Sequence, residues 1–188
     1  MKRLTVMALL MTAICVLAAL LSAQDGAKPK LTRASMGPPQ EMQQIAGLAG
    51  TWDVVRKTRW DTTQPPLENK AVCVNTLILN GCALERSVTS QMGQMAYEGK
   101  GTISYHQGLK KWQYTWLDNS AGLLSHYQGL MTDGKLVVSG EDITPLVTVW
   151  TRITISNITD QRFDEMVESS KDGGKTWRVV ATSVYTKK

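Results

Sequence analysis

Two histidines and three cysteines leave this 188-residue chain little from which to build a metal centre. His106 falls at a turn, His126 lies on the polar side of an alternating run, and Cys73 and Cys82 lack the spacing of zinc ligands. Neither a metal nor a cofactor is expected. No Gly-x-Ser-x-Gly elbow occurs, and the acidic pairs Glu141-Asp142 and Asp164-Glu165 are adjacent residues that a strand would point to opposite faces. General acid-base chemistry has no evident home, so the chain reads as non-catalytic. Charge of one sign does not accumulate either. Of the formal net charge of +5, Lys2 and Arg3 supply two, which leaves +3 spread among interspersed Asp and Glu. With no basic stripe and no polybasic patch, nucleic acid is excluded as a partner.

What is present begins with a leader. Lys2-Arg3, an apolar core from Leu4 to Leu21 and the small residues Ser22-Ala23 have the layout of a secretory signal over 1–23. The expectation is an exported protein, periplasmic or secreted. An uncleaved anchor stays open, because about 18 apolar residues just cross a bilayer; once the segment is removed, no stable membrane insertion is expected. Residues 24–38 are polar, with Gly and Pro and no apolar period, and read as a flexible lead-in. Residues 39–188 form a single domain, long enough to bury roughly 70% of its unfolded surface without staples. It opens with a short helix, since Met42, Ile45 and Leu48 recur at helical spacing after Pro39.

From Thr51 onward ten strands are separated by turn chemistry and by no helix: Pro65-Pro66, Asn80-Gly81, Met92-Gly93, Gln107-Gly108, Asp118-Asn119, Asp133-Gly134, Thr144-Pro145, Asn157 to Asp160 and Asp172-Gly173-Gly174. Parallel strands would need crossover helices, so the pattern predicts an all-β fold, a ten-stranded antiparallel up-and-down barrel. Gly50-Thr51-Trp52 marks its start, where glycine lets a helical turn become a strand and the indole plugs one end.

Two hairpins assign the faces. A two-residue Asn80-Gly81 turn sets Leu79 against Cys82, Leu77 against Leu84 and Asn75 against Arg86 on one apolar, inward side. Arg86 then orients a carboxylate or other polar ligand head, or bonds protein groups alone. Trp112, Tyr114 and Trp116 share the inner face of the next aromatic strand; pairing Leu117 with Gly122 sets Trp116 against Leu123, Tyr114 against Ser125 and Trp112 against Tyr127. These rings line a pocket for a small apolar or amphipathic molecule, or they fill the barrel. The candidate cavity residues are therefore Asn75, Arg86, Trp112, Tyr114, Trp116 and Tyr127. The first register also places Cys73 opposite Val88, roughly 20 Å along the strand from Cys82, so no disulfide joins them.

Two look-alike motifs are turns. Gly129 to Lys135 has the glycine and lysine spacing of a phosphate loop, but Leu136 replaces the metal-binding hydroxyl and no helix follows. Ser170-x-Asp172-x-Gly174-x-Thr176-Trp177 fits one copy of the Asp-box turn of sialidase propellers.

The ordered series Leu48-Ala-Gly-Thr-Trp52, Leu79-Asn-Gly-Cys-Ala-Leu-Glu85, Tyr97-Glu-Gly-x-Gly-Thr102, Tyr105, Trp116-Leu-Asp118, Ser139-Gly-Glu141 and Tyr185-Thr-Lys resembles a family of exported bacterial proteins known as a domain of unknown function. The resemblance covers about Gln40 to Lys188. It implies a calycin-like barrel similar to lipocalins and fatty-acid-binding proteins, with no established activity. Where lipocalins stack an arginine on the Gly-x-Trp indole, this chain ends in Lys187-Lys188. The expected function is binding of a small apolar or amphipathic molecule; the alternatives are a structural or protein-binding envelope module with a filled core and, more weakly, an enzyme of unrecognised chemistry.

Overall fold

The computed structural model describes Gly37–Lys188, apart from Trp60, Pro145, Leu146 and the side chain of Met92. The expected leader, 1–23, and nearly all of the lead-in lie outside the described residues. Ten strands follow a 3-10 helix, Gln40–Leu48: β1 (Gly50–Thr58), β2 (Leu67–Ile78), β3 (Ala83–Met92), β4 (Met95–His106), β5 (Lys111–Asp118), β6 (Ser125–Thr132), β7 (Lys135–Ile143), β8 (Thr148–Ser156), β9 (Arg162–Ser170) and β10 (Arg178–Lys187). Each strand pairs antiparallel with the one before it, and β10 returns to β1 to close the barrel. Turn residues enforce this meander. Asp133 and Gly134, with φ of 50° and 71°, supply the left-handed pair that a two-residue hairpin needs between Thr132 and Lys135.

The helix caps one end. It winds more tightly than an α-helix, and three residues per turn place Met42, Ile45 and Leu48 on one buried face. Below it Trp52 is fully buried, donates from its indole nitrogen to the Leu48 carbonyl at 2.9 Å and meets the Phe163 ring edge-on at 4.8 Å. Lys187, opposite Trp52 in the β1–β10 register, holds its ammonium 4.4 Å from the indole centroid and donates to the Ala49 carbonyl at 2.7 Å. Lysine thus covers the indole, where the resemblance to lipocalins implied an arginine. Gly50 makes the arrangement possible, because its φ is 128° and a Cβ there would collide with the Lys187 side chain.

The β2–β3 register is the expected one, with Asn75 opposite Arg86, Leu77 opposite Leu84 and Cys73 opposite Val88. The turn itself is broader than a two-residue hairpin. A 3-10 turn over Leu79–Gly81 puts Leu79 and Asn80 at positive φ, and both Leu77 and Leu79 are exposed instead of facing the core. The β5–β6 register differs from expectation by two residues: Trp116 pairs with Ser125, Tyr114 with Tyr127 and Trp112 with Gly129. Asp118 causes the shift, because its carboxylate accepts the Ser120 and Ala121 N–H groups while its carbonyl accepts from Gly122, which holds 119–124 as a loop. An even shift keeps the rings on the inner face.

Trp52→Ala should cost about 3–5 kcal/mol of unfolding free energy, as for other buried large aromatics, read from urea denaturation. Burial raises the pKa of the Cys73 thiol, and Cys82 is only half-buried. Cys82 should therefore react first with a thiol reagent and Cys73 only after unfolding, and peptide mapping without reductant should find no bridge between them.

Candidate functional site

Halfway along the barrel a buried guanidinium crosses the lumen. Arg86, on β3, donates from Nη1 to Glu165 Oε2 on β9 at 2.7 Å and to the Tyr114 hydroxyl on β5 at 3.0 Å. Both charges are buried, and the guanidinium carbon lies 5.4–5.9 Å from the centroids of Tyr114, Phe163 and Tyr185. Aromatic faces suit a cation out of reach of water. Glu165 is further engaged by the Tyr185 hydroxyl at 3.4 Å and by Arg56 Nη1 at 3.6 Å. Burial alone would raise the pKa of the Glu165 carboxyl, but Arg86 and Arg56 outweigh it and hold the group below its ordinary value. Burial pushes the Tyr114 and Tyr185 phenols upward, so both stay neutral hydrogen-bonding groups near pH 7. The Arg86 Nε is buried with no hydrogen-bond partner among the described residues.

This crossbar separates two kinds of interior. On the helix side the inward residues Trp52, Leu84, Trp112, Leu136, Ile155 and Phe163 are essentially inaccessible, and Tyr105 and Met131 are half-exposed at a groove beside the helix. Towards the other end, side chains on the same inner face stay half-exposed: Arg56, Ala71, Val88, Tyr97, Trp116, Asp118, Asp142 and Val167. That end of the barrel, the cup above the crossbar, thus keeps solvent-accessible inner-face surface. Its aromatic wall is built by glycines. A Cβ at Gly99 or Gly101 would run into the Trp116 ring, so β4 must be bare for the indole to lie against it. The indole nitrogen donates to Asp118 Oδ2 at 3.1 Å, and the Tyr97 hydroxyl donates to the same oxygen at 3.2 Å. Burial presses the Asp118 carboxyl upward, but donors from Ser120, Trp116 and Tyr97 bring it below the ordinary range. Across β6, the Asp142 carboxylate accepts hydroxyls from Ser125 (2.6 Å), Tyr127 (2.9 Å) and Thr151 (2.6 Å).

The six residues expected to line one cavity are thus divided. Trp116 and Tyr127 belong to the cup, and Arg86 and Tyr114 form its floor. Asn75 and Trp112 lie on the helix side, where the Asn75 side-chain amide donates to the Leu48 carbonyl at 2.8 Å and Trp112 packs edge-on against Tyr105 at 5.4 Å. A separate groove of about 570 Å³ opens there, lined by Tyr105, Trp112, Met131 and Ile158 together with Glu41 and Lys110. Among the described residues no three His, Cys, Asp or Glu side chains are grouped as metal ligands.

Residues 37–187 match a family model described as "Protein of unknown function (DUF1579)". The chain belongs to the DUF1579 family. No curated protein sequence matches it. Among solved structures it is similar to Rv2717c from M. tuberculosis, at 11% identity and a TM-score of 0.56, over 80% of this chain and 99% of that one. It is also similar to the S-type phycobiliprotein lyase CPES from Guillardia theta, at 11% identity and a TM-score of 0.50, over 80% and 98%. At such identity the likeness establishes the barrel fold alone.

Several residues of this DUF1579 protein's candidate site are not singled out by the sequence. Arg56, Glu165 and Tyr185 are inward by alternation with Trp52, Phe163 and one another, a signal that was there to read. Which of two adjacent acids faces in, Asp164 or Glu165, follows from Phe163. That Arg86 would span the lumen to meet Glu165 on a strand 79 positions later was not readable.

The crossbar yields two measurable consequences. Arg86→Met should cost about 3–5 kcal/mol by stranding a buried carboxylate, and adding Glu165→Leu should recover much of that loss, as measured by a double-mutant cycle in urea. Because the folded Glu165 pKa is depressed, its stabilisation is present above the ordinary value of about 4.3 and is lost as pH falls through the lower folded value. Glu165→Gln should therefore flatten the decline of stability in acid, followed by denaturation midpoints at stepped pH.

Proposed function

We propose that this protein is an exported, non-catalytic binding protein whose barrel takes up a small amphipathic molecule through the cup above the Arg86–Glu165 crossbar. The observation that carries this reading is the contrast within one inner face. Below the crossbar Trp52, Leu84, Trp112 and Phe163 are sealed and accessible surface remains at Tyr105 and Met131 beside the helix-end groove, while Trp116, Tyr97, Val88 and Val167 above it keep accessible surface. Apolar and aromatic wall area beside a few fixed polar groups is what a pocket for an amphipathic molecule requires. The phycobiliprotein lyase likeness adds that such a barrel is compatible with a named activity elsewhere, and no part of that activity is carried over. Export rests on the residues 1–23 pattern alone.

The packed helix side favours a second reading, a structural or protein-binding envelope module whose barrel is simply filled. Uptake separates the two. An uncharged naphthylamine probe should enter the cup with saturable quenching of tryptophan emission, and Trp116→Ala should weaken its uptake by about tenfold, in line with about 1–1.5 kcal/mol for a lost aromatic contact. Absence of uptake across a series of probe and acyl chain lengths would leave the filled-core module as the function.

A further inference from the structure

The cup has a charge at its floor that favours one class of head group. Arg56, Ser183 and Glu165 stand level on three neighbouring strands, β1, β10 and β9. Arg56 meets Ser183 Oγ at 3.2 Å and Glu165 at 3.6 Å, both through Nη1, and 38% of its side chain stays exposed. Glu165 is already bound at 2.7 Å by Arg86, whose side chain is 1% exposed. One carboxylate thus serves two guanidinium groups. Two positive charges less one negative leave the cluster at +1, and the arginine that ligand or solvent reaches is Arg56.

Resting on the binding reading above, we propose that Arg56 is the head-group residue of the cup and that the ligand is an amphipathic anion, its carboxylate-sized head at Arg56 and its apolar body along Trp116 and Val88. Arg86, the arginine that the sequence singles out, is instead a positioning residue that holds Glu165 and the floor. The other inward charges agree with this placement. Asp118 and Asp142 lie on β5 and β7, on either side of β6, the strand opposite β1 in a ring of ten. Each is engaged by hydroxyl or indole donors. They repel an anionic head from that wall and leave the β1 wall as its seat. Arg56 also faces the same space as Tyr97. Burial raises that phenol to about 12 while the Arg56 charge works in the opposite direction across the lumen.

The test is a competition. With the uncharged naphthylamine probe bound, dodecanoate and dodecan-1-ol are titrated at pH 8, where the acid is fully ionised. Dodecanoate should displace the probe at roughly tenfold lower concentration, the scale of a hydrogen bond to a charged partner. Arg56→Gln should bring the two concentrations close together, and Arg56→Lys, which keeps the charge, should retain most of the difference. The substitution is at a half-exposed position, and Glu165 keeps Arg86 as its buried partner, so the fold is not at stake. Equal displacement by acid and alcohol in the wild type overturns the inference and leaves the cup as an apolar site. A preference for the acid that survives Arg56→Gln overturns it too, and moves the head group elsewhere. If neither compound displaces the probe and no probe is taken up, the binding reading itself falls and takes this inference with it.

Discussion

Everything in the interior is arranged around a charge that the barrel cannot expose. Arg86 projects from β3 into the middle of the lumen, and an unpaired guanidinium at that depth would be prohibitive. Its partner comes from β9, the other side of the barrel, so the ion pair ties together strands that the hydrogen-bond ladder links only through intermediate neighbours. Three aromatic faces wrap the cation, and two of them, Phe163 and Tyr185, stack on each other at 4.0 Å. Such a pair need not add net stability, since a well-packed apolar replacement can be as stable. Its position marks the level at which the sealed residues Leu84 and Phe163 give way to the half-exposed Val88 and Val167.

Above that level the wall depends on residues with no side chain. Gly99 and Gly101 leave β4 bare under the Trp116 indole, and Gly140 leaves room beside the Tyr127 ring. Large rings on one strand are matched to glycines on its neighbour, which keeps bulky walls from meeting in the centre. Two of the stretches that carry the family resemblance acquire a physical content from this. Tyr97-Glu-Gly-x-Gly and Trp116-Leu-Asp118 are two halves of one surface, joined where the Tyr97 hydroxyl and the indole nitrogen share Asp118 Oδ2. Ser139-Gly-Glu141 is the corresponding gap beneath Tyr127.

The legibility of the molecule follows the range of its interactions. Strand number and the barrel class were readable because turns such as Asp133-Gly134 are local and because alternation has a period of two. Parity survived even where register did not: the Asp118 loop displaced the β5–β6 pairing by two residues and left Trp112, Tyr114 and Trp116 facing inward. Depth was not readable. Asn75 and Arg86 oppose each other on adjacent strands, yet one serves the helix cap and the other the floor of the cup, since a long side chain travels farther than its α-carbon. Leu77 and Leu79 looked inward by parity and are exposed, because they lie where the strand leaves the barrel end.

The two ends of the barrel therefore answer to different constraints. At the helix end, Leu48 accepts hydrogen bonds from both Trp52 and Asn75, Lys187 covers the indole, and Gly50 has no space for a side chain. Substitution there disturbs closure itself. At the mouth, polar inward groups are satisfied within their own wall: Asp118 by its loop and β4, Asp142 by β6 and β8. Their satisfaction is local, so the lumen side of each wall can be altered without stranding a buried charge on another. The crossbar is what permits this, because it completes the core beneath the cup and makes the shape of the mouth independent of how the barrel closes.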